Sequence, residues 1–240
     1  NKLEKKLKQI DREKKTQRKS RKETFKVSLV GYTNVGKSSL MNTLTGADTL
    51  VENKLFATLD PTVRKIKKNF PYPVLLSDTV GLINKLPLDL VASFKSTLDE
   101  VRDANLLIHV VDISHPEYHN QLQTTNDLLV QMGIDETETI LVFNKLDSIE
   151  DIEKIDEVQE NYPSAVFISC KKGEGIEVLR KKIISEYENK LFYFKFHLKH
   201  SQAGLISKIR KFAFIIKEDY EEDRITLSLR LSPGGKTKLS

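Results

Sequence analysis

Short apolar runs alternate with amphipathic stretches from residue 25 to about residue 187. The apolar runs are rich in valine, isoleucine and leucine and have the length of buried strands, whereas the amphipathic stretches have the helical period. Alternating strands and helices predict a parallel sheet with helices on both of its faces. We therefore expect an α/β fold, with a doubly wound and mostly parallel sheet, over residues 24–190.

Two strands can be assigned to positions in that sheet. The run from Leu106 to Val111 is almost entirely apolar, which predicts a central strand. Residues 63–70 interleave four basic side chains with apolar ones, which is typical of an edge strand. Helices are expected at 87–101, 121–132, 149–162 and 176–190.

The pattern changes after Lys190. The segments that follow predict a strand, a helix with Ser201 as its candidate N-cap, and two further strands. These four elements are expected at 191–198, 201–211, 212–217 and 224–231. We predict a small α+β domain of β-α-β-β order at 191–232, followed by a tail at 233–240.

Charge adds a candidate interaction segment to this picture. The net charge is +5, and lysine and arginine are concentrated in residues 1–26. We expect residues 1–23 to be a basic helical segment of an upstream domain that is missing here, since the sequence starts at Asn1 rather than at methionine. Contact with RNA phosphates, a solvated helix and a disordered tail are the three interpretations of this segment.

The composition also bears on the compartment. The single cysteine suits a reducing environment, and no stretch approaches the run of about 20 apolar residues that spans a bilayer. We therefore expect a cytoplasmic protein that has at most peripheral membrane contact and no DNA partner.

The most specific motif follows the first predicted strand. Residues 31–38 match G-x-x-x-x-G-K-[ST], the loop that wraps nucleotide phosphates between a strand and a helix. Gly31 and Gly36 allow backbone N–H groups to curl around phosphate oxygens. Lys37 is expected to reach the outer phosphates as a catalytic residue, and Ser38 to ligate Mg²⁺. The nucleotide contacts predicted here are Gly31, Tyr32, Thr33, Asn34, Val35, Gly36, Lys37, Ser38 and Ser39.

A second motif ends a later strand. Residues 78–81 are Asp-Thr-Val-Gly, which fits Asp-x-x-Gly. The Asp78 carboxylate is expected to hold Mg²⁺, through a water, and the Gly81 N–H to bond the γ-phosphate during catalysis. The nucleotide contacts predicted here are Asp78, Thr79, Val80 and Gly81.

A third motif predicts recognition of the base. Residues 144–147 are Asn-Lys-Leu-Asp, which fits Asn-Lys-x-Asp. The Asp147 carboxylate can accept from both the ring N–H and the exocyclic amine of guanine, whereas adenine offers neither donor at that edge. An unpaired buried acceptor is costly, so we expect discrimination of about 10⁴. Lys145 is expected to lay its aliphatic stem over the base, and Asn144 to tie two loops together.

A weaker signal lies at residues 169–171, Ser-Cys-Lys, which follow another predicted strand. This loop is expected to lend a backbone N–H to the guanine carbonyl. Cys170 is interpreted as a small buried residue rather than a nucleophile, because no cluster of His or Asp is placed to activate it. The nucleotide contacts predicted here are Ser169, Cys170 and Lys171.

Residues 56–62, Phe-Ala-Thr-Leu-Asp-Pro-Thr, occupy the position of a loop that must bring a threonine to Mg²⁺ and the γ-phosphate. Thr58 is the preferred candidate for this catalytic and metal-binding role, and Thr62 and Thr49 are the alternatives. The nucleotide contacts predicted in this run are Phe56, Ala57, Thr58, Leu59 and Asp60.

Taken together, these motifs resemble the HflX family of translational GTPases. The likeness extends over roughly residues 10–185 and includes the motif residues at 17–22, 31–38, 56–62, 78–83 and 107–116. The resemblance implies a Ras-like P-loop GTPase fold, GTP or GDP as ligand and Mg²⁺ as cofactor. It also implies a cytoplasmic protein that binds ribosomes, chiefly the large subunit and its RNA, and that promotes ribosome splitting or rescue.

Two positions refine the expected chemistry. Leu82 stands where many GTPases have the glutamine that orients the attacking water, so we expect slow intrinsic hydrolysis that accelerates on a ribosome. Asn34 stands where some related GTPases hold K⁺ beside the phosphates, and turn geometry is the alternative explanation for this asparagine.

Two other functions stay open from the sequence. One is a GTPase that acts in RNA modification or ribosome assembly, although nothing after residue 190 resembles a modification site. The other is a GTP-dependent binding module with very low hydrolysis, which Leu82 favours.

Overall fold

The computed structural model describes residues 24–46, 62–66, 70–79, 100–134 and 136–232, except for the side chain of Ile152. Several predictions therefore concern residues outside the described ones. They are the basic segment at 1–23, the nucleotide contacts Phe56, Ala57, Thr58, Leu59, Asp60, Val80 and Gly81, the alternative Thr49, Leu82, most of the helix at 87–101, and the tail at 233–240.

Six strands form the main sheet, in the order β2-β3-β1-β4-β5-β6. All neighbouring strands run parallel except β2, which is antiparallel to β3. The strands are β1 (Phe25–Val30), β2 (Thr62–Lys65), β3 (Val74–Asp78), β4 (Leu106–Asp112), β5 (Thr139–Asn144) and β6 (Val166–Phe167). The helices of the same part of the chain are α1 (Lys37–Thr45), α2 (Tyr118–Gln131), α3 (Ile152–Asn161) and α4 (Ile176–Asn189). The predicted α/β fold with a mostly parallel sheet is confirmed.

The positions of two strands follow from their composition. β4 lies between β1 and β5, and all seven of its residues are buried. β2 lies at the edge of the sheet, where Arg64 is half-buried and Lys65 is exposed. Both strand positions were predicted from the apolar run and from the basic residues, respectively. The edge strand ends at Lys65, however, so the predicted range of 63–70 was too long.

Helix boundaries differ from the predicted ones where capping decides them. α3 begins at Ile152 rather than at 149, because the Asp151 carboxylate accepts a hydrogen bond from Glu153 N at 3.0 Å and serves as the N-cap. The preceding residues 146–148 form a separate 3₁₀ turn. The prediction of one helix over 149–162 was therefore wrong at its start.

Two clusters of buried side chains pack the helices onto this sheet. One contains Val111, Ile113, Tyr118, Leu122, Phe143 and Val158. The other contains Val30, Val101, Leu107, Leu129 and Ile134. Burying each large apolar side chain contributes about 1.5–3 kcal/mol, so these clusters fix the sheet and hence the loops at its edge.

The chain divides into two compact units, one of which spans Phe25–Ile184, and the described residues from Ser185 onward belong to the other. The second unit contains an antiparallel sheet of order β7-β9-β8. Its elements are β7 (Phe192–Leu198), a 3₁₀ helix (His200–Leu205), α5 (Ile206–Ile209), β8 (Ala213–Tyr220) and β9 (Ile225–Leu231). A buried cluster around Ile206, Leu227 and Leu229 forms its core.

The helical segment of this second unit is shorter than predicted. The helix expected at 201–211 consists of the 3₁₀ helix followed by the single turn α5, and Ser201 is not its N-cap. Lys199 occupies that position, where its backbone N–H donates to Gln202 Oε1 at 3.0 Å. Among the described residues, no helix has both the length and the apolar character required to cross a membrane.

Candidate functional site

The described residues of four predicted motifs lie at the carboxyl ends of the strands of the main sheet. In a parallel sheet the carboxyl ends of the strands lie on the same side, where ligands usually bind. β1 leads there into Gly31, β3 ends at Asp78, β5 ends at Asn144 and β6 is followed by Ser169. The chemistry-bearing residues that the structure describes are therefore close together, although they are distant in sequence.

The loop between β1 and α1 depends on glycine at two positions. Gly31 has φ 145, and a Cβ there would stand 2.2 Å from the backbone oxygen of Val110. Gly36 has φ 97, and a Cβ there would stand 2.3 Å from Asn144 Nδ2. Gly36 is also the N-cap of α1 and has no side chain to occupy the first N–H groups of that helix. Those donors suit an anion.

Asn34 and Thr33 lie in the bend of the same loop. Asn34 is exposed and adopts φ 61, a left-handed conformation that asparagine tolerates better than most residues. Thr33 and Val35 are buried. The alternative explanation of Asn34 by turn geometry therefore has a structural basis in this loop.

Lys37 is buried at the start of α1 and points into the loop. Its Nζ donates to the backbone oxygens of Gly31 at 3.1 Å and Tyr32 at 2.7 Å. Burial lowers the pKa of Lys37 from 10.5 to about 8, and the nearby Asp78 carboxylate opposes that shift. An anionic ligand such as a phosphate would further stabilise the buried ammonium of Lys37.

Ser38 and Asp78 form the candidate metal site. Ser38 Oγ donates to Asp78 Oδ2 at 2.6 Å, and Asp78 is only 3% exposed. A hydroxyl and a carboxylate are hard oxygen ligands of the kind that Mg²⁺ prefers, and few protein ligands suffice because Mg²⁺ retains waters. No cluster of three or more His, Cys, Asp or Glu side chains with metal-binding geometry occurs in the described part of the chain. The donor set fits Mg²⁺ held jointly with phosphates.

Two residues predicted to contact the nucleotide, Thr79 and Ser39, form hydrogen bonds within the protein. Thr79 Oγ1 donates to the backbone oxygen of Leu29 at 2.5 Å, so this buried side chain joins β3 to β1. The backbone oxygen of Ser39 accepts from Thr43 Oγ1 at 2.9 Å within α1. Contacts of Thr79 and Ser39 with a nucleotide stay predictions.

Asn144 joins the loops on the other side of the site. Its Nδ2 donates to the backbone oxygen of Val35 at 2.9 Å, and its Oδ1 accepts from Cys170 N at 3.2 Å. The side chain is 2% exposed. One buried amide thus connects the phosphate loop, the end of β5 and the loop after β6.

Asp147 lies in the 3₁₀ turn just beyond β5. Ser169 Oγ donates to Asp147 Oδ1 at 2.6 Å, and Ser169 Oγ itself accepts from Lys172 N at 3.0 Å. The hydrogen bond from Ser169 lowers the pKa of Asp147, and the nearby Lys171 lowers it further. Asp147 is therefore an ionised acceptor at neutral pH, with lone pairs beyond the one that Ser169 uses.

Cys170 has the environment of an inert thiol. Burial raises its pKa from 9.0 to about 12, and the Asp147 carboxylate adds to that effect. Its backbone N–H is engaged by Asn144, and its side chain is partly buried. A protonated thiol is a weak nucleophile, which agrees with the interpretation that Cys170 is not a nucleophile. The residue is partly buried rather than fully buried as predicted.

Two residues of the site were not assigned a role from the sequence. Gly175 has φ 71, and a Cβ there would stand 2.0 Å from the backbone oxygen of Phe167, so it shapes the loop after β6. Asp112 Oδ2 forms an ion pair with Lys145 Nζ at 2.6 Å. The sequence did contain one signal for Asp112. It comes at the end of a mostly apolar run, as Asp78 does at the end of β3.

This chain is similar to known GTPases. The sequence model of a family described as 50S ribosome-binding GTPase matches residues 26–145. The chain is 40% identical over 237 residues to the GTPase HflX of Gluconacetobacter diazotrophicus, covering 99% of this chain and 52% of that protein. It is 46% identical over 203 residues to the GTPase HflX of Flavobacterium psychrophilum, covering 75% and 49%, respectively.

Among solved structures, the chain is similar to a GTP-binding protein from Sulfolobus solfataricus in complex with GDP. The TM-score is 0.54 and the identity 28%, with 76% of this chain and 58% of that chain covered. This chain spans about half the length of the curated HflX relatives that it matches. The HflX resemblance is thus confirmed, and the chain belongs to the family of 50S ribosome-binding GTPases.

Proposed function

We propose that this chain binds GTP and GDP together with Mg²⁺ and hydrolyses GTP. The observation that supports this most strongly is the Asp147 carboxylate, which Ser169 holds at 2.6 Å on loops that Asn144 joins to the phosphate loop. An ionised acceptor beside a phosphate-binding backbone matches the two adjacent donors of guanine. Adenine has no such donors at that edge.

The residues of the phosphate side have separate roles in this proposal. Lys37 and the first N–H groups of α1 stabilise the charge on the transferring phosphoryl group. Ser38 and Thr58, and Asp78 through a water, would hold Mg²⁺, which would neutralise phosphate charge. The Gly81 N–H would bond the γ-phosphate. Since leucine at position 82 cannot orient a water, we expect intrinsic hydrolysis to be slow. Asn34 keeps its two alternative roles, as a K⁺ ligand beside the phosphates or as a turn residue.

We further propose that the ribosome is the partner that accelerates hydrolysis. The family description and the HflX relatives support a ribosome-associated GTPase. The large subunit is the proposed binding site, splitting or rescue of ribosomes is the proposed outcome for the longer protein, and a cytoplasmic location follows from both.

The test of base recognition is the variant Asp147→Asn. Asparagine presents an N–H donor where xanthine has a carbonyl, so the preference should move from GTP toward XTP by at least about 100-fold. Titration calorimetry with both nucleotides and Mg²⁺ measures this change. The matched control is Asp127→Asn on α2, which alters an exposed carboxylate bonded only locally to Gln123 in the described contacts and should leave both affinities unchanged. An unaltered preference in Asp147→Asn would refute the proposal.

A further inference from the structure

Lys145 is held in an unusual conformation at the base side of the candidate site. Its backbone has φ 68, which is uncommon for a residue with a long side chain. Its Nζ lies 2.6 Å from Asp112 Oδ2, and the side chain is 31% exposed. The ammonium is therefore anchored at one point, although the stem that leads to it remains partly open to solvent.

Asp112 is itself fixed before any ligand arrives. It is the last residue of β4, where it pairs in register with Asn144 of β5. Its Oδ1 accepts from both the backbone N–H of Ser114 at 3.0 Å and Ser114 Oγ at 2.6 Å. The backbone N–H of Ile113 donates to Asn144 O at 3.1 Å, which closes the two strand ends together. One carboxylate oxygen is thus held locally, and the other oxygen receives Lys145.

An anchor of this kind matters for a flexible lysine. A free lysine side chain has several rotatable bonds, and ordering them over a ligand costs conformational entropy at the moment of binding. An ion pair to a carboxylate that is mostly buried is screened less by solvent than a surface pair. The Asp112 pair therefore orders the Lys145 stem in advance.

We propose that Asp112 is a positioning residue for guanine-nucleotide binding, acting through Lys145. By holding the ammonium, Asp112 orients the aliphatic stem for contact with the face of the base. This inference rests on the proposed function, because it assigns Lys145 to the base. In this proposal Asp112 acts only through Lys145, so its effect is confined to ligands that carry a base.

The first experiment compares a complete nucleotide with a ligand that has only phosphates. Asp112→Asn keeps the size of the side chain and an oxygen for Ser114, but removes the charge that holds Lys145. We expect the affinity for GDP to fall about 10- to 100-fold, and the affinity for tripolyphosphate with Mg²⁺ to change less than about twofold. Calorimetry and ligand-induced thermal stabilisation measure both.

The matched control is Asp103→Asn. It removes an exposed ion pair, in which Asp103 Oδ2 lies 3.1 Å from Nζ of Lys26 near the start of β1, away from the strand ends that carry the site. Neither affinity should change. Equal losses for GDP and tripolyphosphate in Asp112→Asn would mean that Asp112 supports the fold as a whole, which would overturn the inference.

A double-mutant cycle supplies a second measurement. Lys145→Met keeps an aliphatic stem and removes the ammonium, so in that background Asp112→Asn should change the affinity for GDP by less than about twofold. A full additional loss would contradict the proposal. If folded wild-type protein does not bind GDP, the proposed function fails; if it binds GDP and Asp112→Asn binds it equally well, only this inference fails.

Discussion

Two features require glycine at position 36: its left-handed backbone and the close approach of the Asn144 side chain. Its φ of 97 lies in the left-handed region, and the space where a Cβ would stand is occupied by the amide of Asn144. That amide carries the hydrogen bonds that join three loops. At the scale of single residues, the phosphate side and the base side of the site are therefore mechanically linked.

The variant Gly36→Ala tests this link. The left-handed backbone costs roughly 1–2 kcal/mol with a Cβ, and the Asn144 amide has to move away from Val35 and Cys170. We expect the affinity for GDP, measured by calorimetry, to fall at least about tenfold. Gly46→Ala is the control, since Gly46 has φ 68 but nothing within 4 Å of the added Cβ. It should lose stability without losing affinity; equal losses of affinity in both variants would contradict the account.

The reactivity of Cys170 has a defined pH dependence. Because burial raises the pKa of this thiol to about 12, its thiolate fraction at pH 8 is about 10⁻⁴, against about 10⁻¹ at its ordinary value of 9.0. Alkylation by iodoacetamide at pH 8 should be at least about 100-fold slower in the native protein than in denaturant, and should accelerate about tenfold per pH unit up to pH 11. The chain has one cysteine, so the rate reports on this site alone. Native and denatured rates within tenfold at pH 8 would be inconsistent with a raised pKa of this thiol.

At the scale of elements, Arg180 connects α4 with the far end of α1. Its guanidinium donates to the backbone oxygens of Thr43 at 3.2 Å and Leu44 at 3.4 Å, in the last turn of α1. A cation there satisfies carbonyls without helical partners and complements the helix dipole. Arg180 is 5% exposed, so the contact is protected from solvent. The helix that starts at the phosphate loop is thus held at both ends.

Replacing this arginine should destabilise the unit that spans Phe25–Ile184. Arg180→Met keeps most of the side-chain volume but leaves buried carbonyls without their charged donor, and we expect the free energy of unfolding to fall by about 2 kcal/mol. Urea denaturation measures the change. The control is Arg102→Met, which removes an exposed arginine that donates to Met132 O at 3.3 Å and should cost less than about 0.5 kcal/mol. A similar small change in both variants would show that the Arg180 contact contributes little.

The elements predicted from sequence were those whose pattern is local. β4 is mostly apolar and β2 carries two basic residues, so their positions in the sheet could be predicted. The start of α3 was not predicted, because it depends on which of several acidic residues caps the helix. The Arg180 and Asp112 contacts were also not predicted, since each joins segments that are distant in sequence and depends on strand and helix register.

The whole chain combines the unit Phe25–Ile184, which carries the proposed nucleotide site, with a second compact unit that contains the described residues from Ser185 onward. In the second unit, a three-stranded sheet encloses its own core around Leu227. A functional role for the second unit is best tested on the intact chain, where both units are present.

The proposed partner predicts a rate that depends on ribosomes. Because Leu82 cannot position water, single-turnover GTP hydrolysis by the intact chain should be slow alone and at least about tenfold faster with purified large subunits. Asp147→Asn assayed with GTP should show little stimulation at the same nucleotide concentration. A rate that is equal with and without large subunits would favour a binding module over a ribosome-activated enzyme.

Recognition of guanine can be measured by calorimetric titration of the folded wild-type chain with GTP and with ATP, each with Mg²⁺. Guanine presents two donors to the ionised Asp147 carboxylate and adenine presents neither, so we expect a preference for GTP of about 10⁴. Equal affinities for the two nucleotides, or binding of neither, would refute recognition of guanine at this site.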